Sequence, residues 1–106
     1  MRRQIGLAAI FLAMAAWSVP ALSAKGVVVY NRSCDYYIVE TNMGYALLEW
    51  YGGNDPSEGD VMVGDYESYG MKEIYNVTAD SEAKVWVEDF WLSEDRVIEE
   101  LREHCN

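Results

Sequence analysis

Apolar residues recur along this chain in short β-branched and aromatic runs, and the period changes only near the end. Gly26 to Tyr30 (GVVVY) reads as a first strand and Tyr36 to Thr41 (YYIVET) as a second. Asn42-Met43-Gly44 tolerates positive φ, so the second run turns directly into Tyr45 to Tyr51 (YALLEWY) and the pair reads as a hairpin. Within that third strand Ala46, Leu48 and Trp50 alternate with Tyr45, Leu47, Glu49 and Tyr51. Neither set is cleanly polar, so something is expected to pack on both faces. Every residue from Gly52 to Asp60 is a turn former or acidic, which predicts a surface loop. Val61 to Gly64, Met71 to Val77 and Lys84 to Asp89 supply three further short strands.

The period then lengthens. Val97, Ile98, Leu101 and Cys105 recur at helical spacing, while Glu99, Glu100, Arg102 and Glu103 are expected to turn outward. Ser93 is a suitable N-cap, and Glu94 and Asp95 place negative charge where the helix dipole favours it. A helix of about eleven residues is marginal alone, so it should lie with its apolar stripe on the sheet. The pattern predicts a mainly β fold with a C-terminal helix, either a small OB-like or SH3-like barrel or a curled antiparallel sheet. No motif in the chain ties this outline to a particular family.

The N-terminal run has a different character. Arg2 and Arg3 precede an almost unbroken apolar stretch from Ile5 to Trp17, and Pro20 breaks it before Ala21-Leu22-Ser23-Ala24. That is the layout of a secretory signal peptide, with cleavage expected after Ser23 or Ala24. The apolar core falls short of the ~20 residues a membrane span needs, so no stable membrane insertion is expected after cleavage. The division is therefore a signal peptide over residues 1–24 and one small β-rich domain over 25–106, secreted or periplasmic by a bacterial-style route. In an oxidising compartment Cys34 and Cys105 become a disulfide pair. Their bridge would close a loop of about 70 residues, worth roughly 4 kcal/mol, and would staple the last helix to the barrel.

Charge narrows the partners. The sequence has 18 Asp and Glu against 8 Lys and Arg, a net −10 that becomes −12 when Arg2 and Arg3 leave with the leader. Such a chain repels nucleic acid and anionic lipid and favours a basic protein or another cationic ligand. His104 is the only histidine, and a bridged Cys105 beside it leaves no thiol nucleophile. Asp55, Glu58 and Asp60 are candidate oxygen ligands for calcium, although the Gly at 59 breaks the EF-hand spacing. Tyr51, Tyr66, Tyr69 and Trp91 are the aromatic residues expected to reach the surface, where rings beside carboxylates suit either a sugar face or a cationic, hot-spot-rich protein partner. The reading is an exported, non-catalytic binding or envelope-interaction module without a required cofactor, one version being an inhibitor of a basic enzyme such as lysozyme. The alternatives are a small metal-dependent or acid–base enzyme built on the carboxylate loops, and a purely structural envelope protein.

Overall fold

A computed structural model describes residues 23–32 and 34–105. The expected signal peptide lies outside the described residues, except for Ser23 and Ala24. Six strands and one helix follow in chain order: β1 (Ser23–Tyr30), β2 (Tyr36–Thr41), β3 (Gly44–Gly53), β4 (Val61–Asp65), β5 (Gly70–Asn76), β6 (Ser81–Leu92) and α1 (Glu94–His104). The strands close into an antiparallel barrel in the order β1-β2-β3-β6-β5-β4, with β4 returning to β1. Two meanders, β1-β2-β3 and β4-β5-β6, are joined by the loop that runs over one end of the barrel. Closure leaves no free strand edge, which removes the usual route to edge-to-edge aggregation.

Alternation along β3 decides where the two cores form. Ala46 and Leu48 point into the barrel, where they meet Val28, Val39, Ile74 and Val85, all buried. Leu47 points out, yet it is as buried as they are, because α1 lies over it. Val97 and Leu101 of the helix pack on Ile38 and Leu47, with Ile98 and Cys105 at the margin. Each such aliphatic side chain contributes about 1.5–3 kcal/mol on full burial. The third strand is thus covered on both sides, as its mixed alternation implies.

The helix begins where the caps require. The Ser93 hydroxyl accepts from the Arg96 N–H at 3.2 Å, and Glu94 and Asp95 fill the first turn. At the other end the Cys105 N–H donates to the Leu101 carbonyl, and the Cys105 sulfur is bonded to Cys34, 71 residues earlier. Cys34 stands just before β2, so the bridge ties the helix end to the strand on which it rests. Among the described residues no helix is long and apolar enough to cross a membrane.

The β6 strand is longer than its sequence pattern predicts and is irregular. Leu48 pairs with Val87 but Leu47 pairs with Asp89, so Glu88 is an extra residue on β6. Tyr45 pairs with Leu92, which leaves Phe90 and Trp91 facing Ala46 alone. Such bulges bend a strand and re-aim its side chains. Here they bring Glu88, Asp89 and Trp91 towards the outer surface within four residues.

Candidate functional site

The bulged end of β6 gathers the chemistry. Phe90 is half-buried against the barrel core, with Tyr69 tilted over it at 4.9 Å between ring centroids and Trp91 edge-on at 5.4 Å. Trp91 is 57 % exposed and Tyr69 63 %. Trp91 also has φ +58°, a left-handed conformation that costs a non-glycine residue of order 1–3 kcal/mol and persists only where the surroundings enforce it. The bulge enforces it here. The turn at Gly44, itself at φ +123°, backs directly onto the Trp91 and Leu92 main chain and leaves no room for a Cβ.

Beside these rings sits a pair of carboxyls. Asp89 accepts from the Tyr69 hydroxyl at 3.3 Å and from the Phe90 N–H at 2.9 Å. Glu100 stands on the helix close enough for the Asp89 carboxyl to act on its titration. Arg96, one turn earlier, donates to Glu100 Oε2 at 3.0 Å. Burial, followed by the hydrogen bond and negative charge of Asp89, pushes the Glu100 carboxyl up to about 7 against the pull of Arg96. The negative charge of Asp89 likewise holds the Tyr69 phenol above its ordinary range. The arrangement offers carboxyl groups next to exposed aromatic edges and faces. A positively charged group would meet carboxylate and π-electron density together.

Several expectations are corrected. Tyr66 is 1 % exposed and belongs to the barrel core, where its hydroxyl donates to the Met62 carbonyl at 3.1 Å. It follows β4 directly and closes that end of the barrel, so a residue in a polar connection is a core plug and not a surface anchor. Burial drives its phenol upward. Tyr51 is exposed at 53 %, as expected, but it is remote from the cluster. It stands between Trp50, paired with Val85, and Gly52, paired with Lys84, whereas Trp91 neighbours Leu92, the partner of Tyr45. Tyr45 and Tyr51 are six positions apart along β3, about 20 Å. Glu100, expected to face solvent, is only 12 % exposed in its side chain. The structure therefore joins Tyr69 and Trp91, and adds Asp89, Phe90, Arg96 and Glu100.

The carboxylates of the 54–60 loop do not converge. Glu58 accepts from Arg32 Nε at 2.9 Å and from the Asn31 N–H at 3.0 Å, and these donors lower its carboxyl, Arg32 first. Asp55 accepts from Asn31 Nδ2 at 3.3 Å. Asp60 turns inward and accepts from the Ser57 N–H at 3.0 Å and from buried Asn76 at 2.8 Å. The expected calcium ligands Asp55, Glu58 and Asp60 thus act as acceptors that fold the loop. Among the described residues no group of three or more His, Cys, Asp or Glu side chains is placed to share a metal ion.

His104 has a second role besides its place in the last helical turn. Its ring stacks on Tyr36 at 4.5 Å, and its Nε2 lies 3.6 Å from Glu88 Oε2. Tyr36 in turn donates to Glu49 at 3.1 Å, and burial with that carboxylate raises its phenol to about 12. Ionisable side chains thus line the whole junction of α1 with β6. No protein family, curated protein or solved structure matches this chain.

Proposed function

We propose that the chain is an exported, non-catalytic binding module that holds a cationic protein or ligand on the face formed by Tyr69, Trp91, Asp89 and Glu100. The observation that carries this reading is Trp91. A tryptophan held in a left-handed backbone conformation and still more than half exposed contributes little to the barrel, and it stands beside a second exposed ring and a carboxyl pair. Exposed aromatics with buried edges are the residues that anchor interfaces, while the charge of −10 steers a basic partner towards them. Nucleic acid is disfavoured by the same charge. The acid–base enzyme alternative draws less support, because the Asp89 carboxylate is already taken up by the Tyr69 hydroxyl and the Phe90 N–H.

Export supports this reading through two observations. The Cys34–Cys105 bridge needs an oxidising compartment to persist, and the basic and apolar segment before β1 has the form of a secretory leader. Ala24 packs on the core and pairs with Gly64, so cleavage after Ser23 would remove only the terminal Ser23–Asp65 pair of the β1–β4 ladder. N-terminal sequencing of the secreted chain tests this, with Ala24 expected first. A chain that keeps residues 1–23 in its native compartment would contradict it.

Binding is tested with a basic protein, lysozyme being a convenient probe, against the oxidised domain. Affinity should fall steeply between low and physiological salt, since exposed charges are screened within about 8 Å. Trp91→Ala and Tyr69→Ala should each weaken binding by about tenfold or more. A complex indifferent to both salt and these two rings would overturn the proposal.

A further inference from the structure

The flank of α1 turned away from Glu100 borders an apolar groove. Val29 and Tyr30 of β1, Ile38 of β2, Tyr45 of β3 and Ile98 of α1 line this groove, whose volume is about 590 Å³. Val29 is 39 % exposed, and so is Val27, two residues earlier on the same outward face of β1. Val27 pairs with Val61 of β4, and the Val77 N–H donates to the Val61 carbonyl, so the apolar surface continues from the groove across β1 and β4 to Val77. A solvated outer face of an antiparallel sheet is ordinarily polar at such positions.

Two charged side chains line the groove among the described residues, and both come from α1. Glu94 lies in its first turn and Arg102 in its last. Both are exposed, and neither takes part in an ion pair among the described residues. Eight residues part them, about 12 Å along the helix, too far for the pairing that residues three or four apart achieve. Ile98 stands midway, four residues from each, so the three form one stripe of acid, apolar residue and base.

That stripe is complementary to itself when reversed. A two-fold axis through Ile98 sets α1 antiparallel to the same helix of a second copy. Glu94 of each protomer then faces Arg102 of its partner, and Ile98 meets its own counterpart, the reciprocity that an isologous contact requires. A parallel arrangement would set like charges together. An anionic amphiphile would be attracted by Arg102 but repelled by Glu94. We propose that the groove is the interface of a symmetric homodimer, filled by a second copy of this chain with α1 against α1 about Ile98. The dimer does not rest on the function proposed above, whose face lies on the other flank of the helix.

Analytical ultracentrifugation of the oxidised domain at about 0.15 M salt tests it, with the mass expected to double between about 10 μM and about 1 mM. Glu94→Arg and Arg102→Glu should each weaken pairing by about tenfold or more, because each sets two pairs of like charges together. An equal mixture of the two variants should pair again, since every charge contact is then opposite in sign. Salt raised to about 0.5 M screens the repulsion between two chains of net −10 and should leave the dimer in place, whereas a bound basic protein should be lost. A monomer at about 1 mM, or a dimer unchanged by either charge reversal, would overturn the proposal, and the wild-type mass decides even if a variant fails to fold. A monomer whose Ile98 methyl signals shift with a single-chain detergent would give the groove to an amphiphile instead.

Discussion

Replacing Cys34 and Cys105 together by serine tests how much of this small barrel depends on its staple. The bridge closes a loop of 71 residues. Loop-closure entropy for that length, about 15 cal/mol/K, corresponds to about 4 kcal/mol at room temperature. A domain of roughly 82 residues has a total stability of about 4–12 kcal/mol at 0.05–0.15 kcal/mol per residue. The loss is therefore between a third and all of the whole. The helix should suffer first, because Cys105 is its C-cap and packs at the edge of the Ile38–Leu47–Leu101 cluster. Urea unfolding followed by tryptophan fluorescence and by far-ultraviolet dichroism measures both effects. The oxidised wild type should unfold in one transition, and the double variant at much lower urea, with helical signal lost ahead of the barrel. A midpoint shift corresponding to less than about 1 kcal/mol would mean that the unfolded chain gains almost nothing from the open loop and that the bridge is not the staple of this barrel.

Three further outcomes follow from individual side chains. Tyr66→Phe should cost about 1 kcal/mol by leaving the Met62 carbonyl without its hydroxyl donor, and Tyr66→Ala about 3–5 kcal/mol, with binding of any partner unchanged in whatever fraction remains folded. Denaturation combined with binding measurements separates this from a surface role. Trp91→Gly should be about 1 kcal/mol more stable than Trp91→Ala, because glycine accepts φ +58° without strain; equal stabilities would remove the strain argument. Stability should also peak on the acid side of neutrality. Glu100 has a folded-state pKa raised from 4.5 to about 7, so its contribution is present below the lower value and lost as pH rises through the higher. At 1.36 kcal/mol per unit, and allowing for solvent and Arg96, that loss is about 1–2 kcal/mol. Asp65 acts in the other direction. Burial raises it, but the Glu67 N–H, the Ser68 hydroxyl and Lys72 together outweigh burial and lower it, so its contribution is lost only as pH falls below the ordinary range. A thermal-melt series from pH 3 to 9 with a maximum at alkaline pH would contradict the sign given to Glu100, and stability that keeps rising below about pH 4 would contradict the sign given to Asp65.

Elements with regular periods were legible in the sequence. Val97, Ile98, Leu101 and Cys105 mark the buried stripe of α1, and the mixed alternation of Tyr45 to Tyr51 foretells a strand covered on both faces. The Cys34–Cys105 bridge follows from compartment and count. The site was legible only in part, because it depends on departures from period. Two bulges break the alternation of β6, and nothing in Val87-Glu88-Asp89-Phe90-Trp91 announces where an extra residue falls. Tyr66 lies among turn-forming neighbours, and only the closure of the barrel shows that its ring fills that end. Glu100 carried a usable signal. It lies three residues after Val97 and one before Leu101, so a helical projection places it on the flank of the apolar stripe and not opposite. The loop acids resemble ligands in the sequence for a related reason: Asn31, Arg32 and Asn76, the donors that occupy them, come from distant strands and connections.

The proposed seat of a cationic partner is the bulged end of β6. The most direct measurement is an amide and side-chain NMR map of the oxidised, labelled domain titrated with unlabelled lysozyme at low salt, repeated with Trp91→Ala. Signals of Tyr69, Asp89, Phe90, Trp91, Arg96 and Glu100, including the Trp91 indole N–H, should shift or broaden together, Tyr51 and the 54–60 loop should stay still, and the variant should show little change. Perturbations centred on Tyr51 or on Asp55 and Glu58, with the Trp91 indole unmoved, would contradict it.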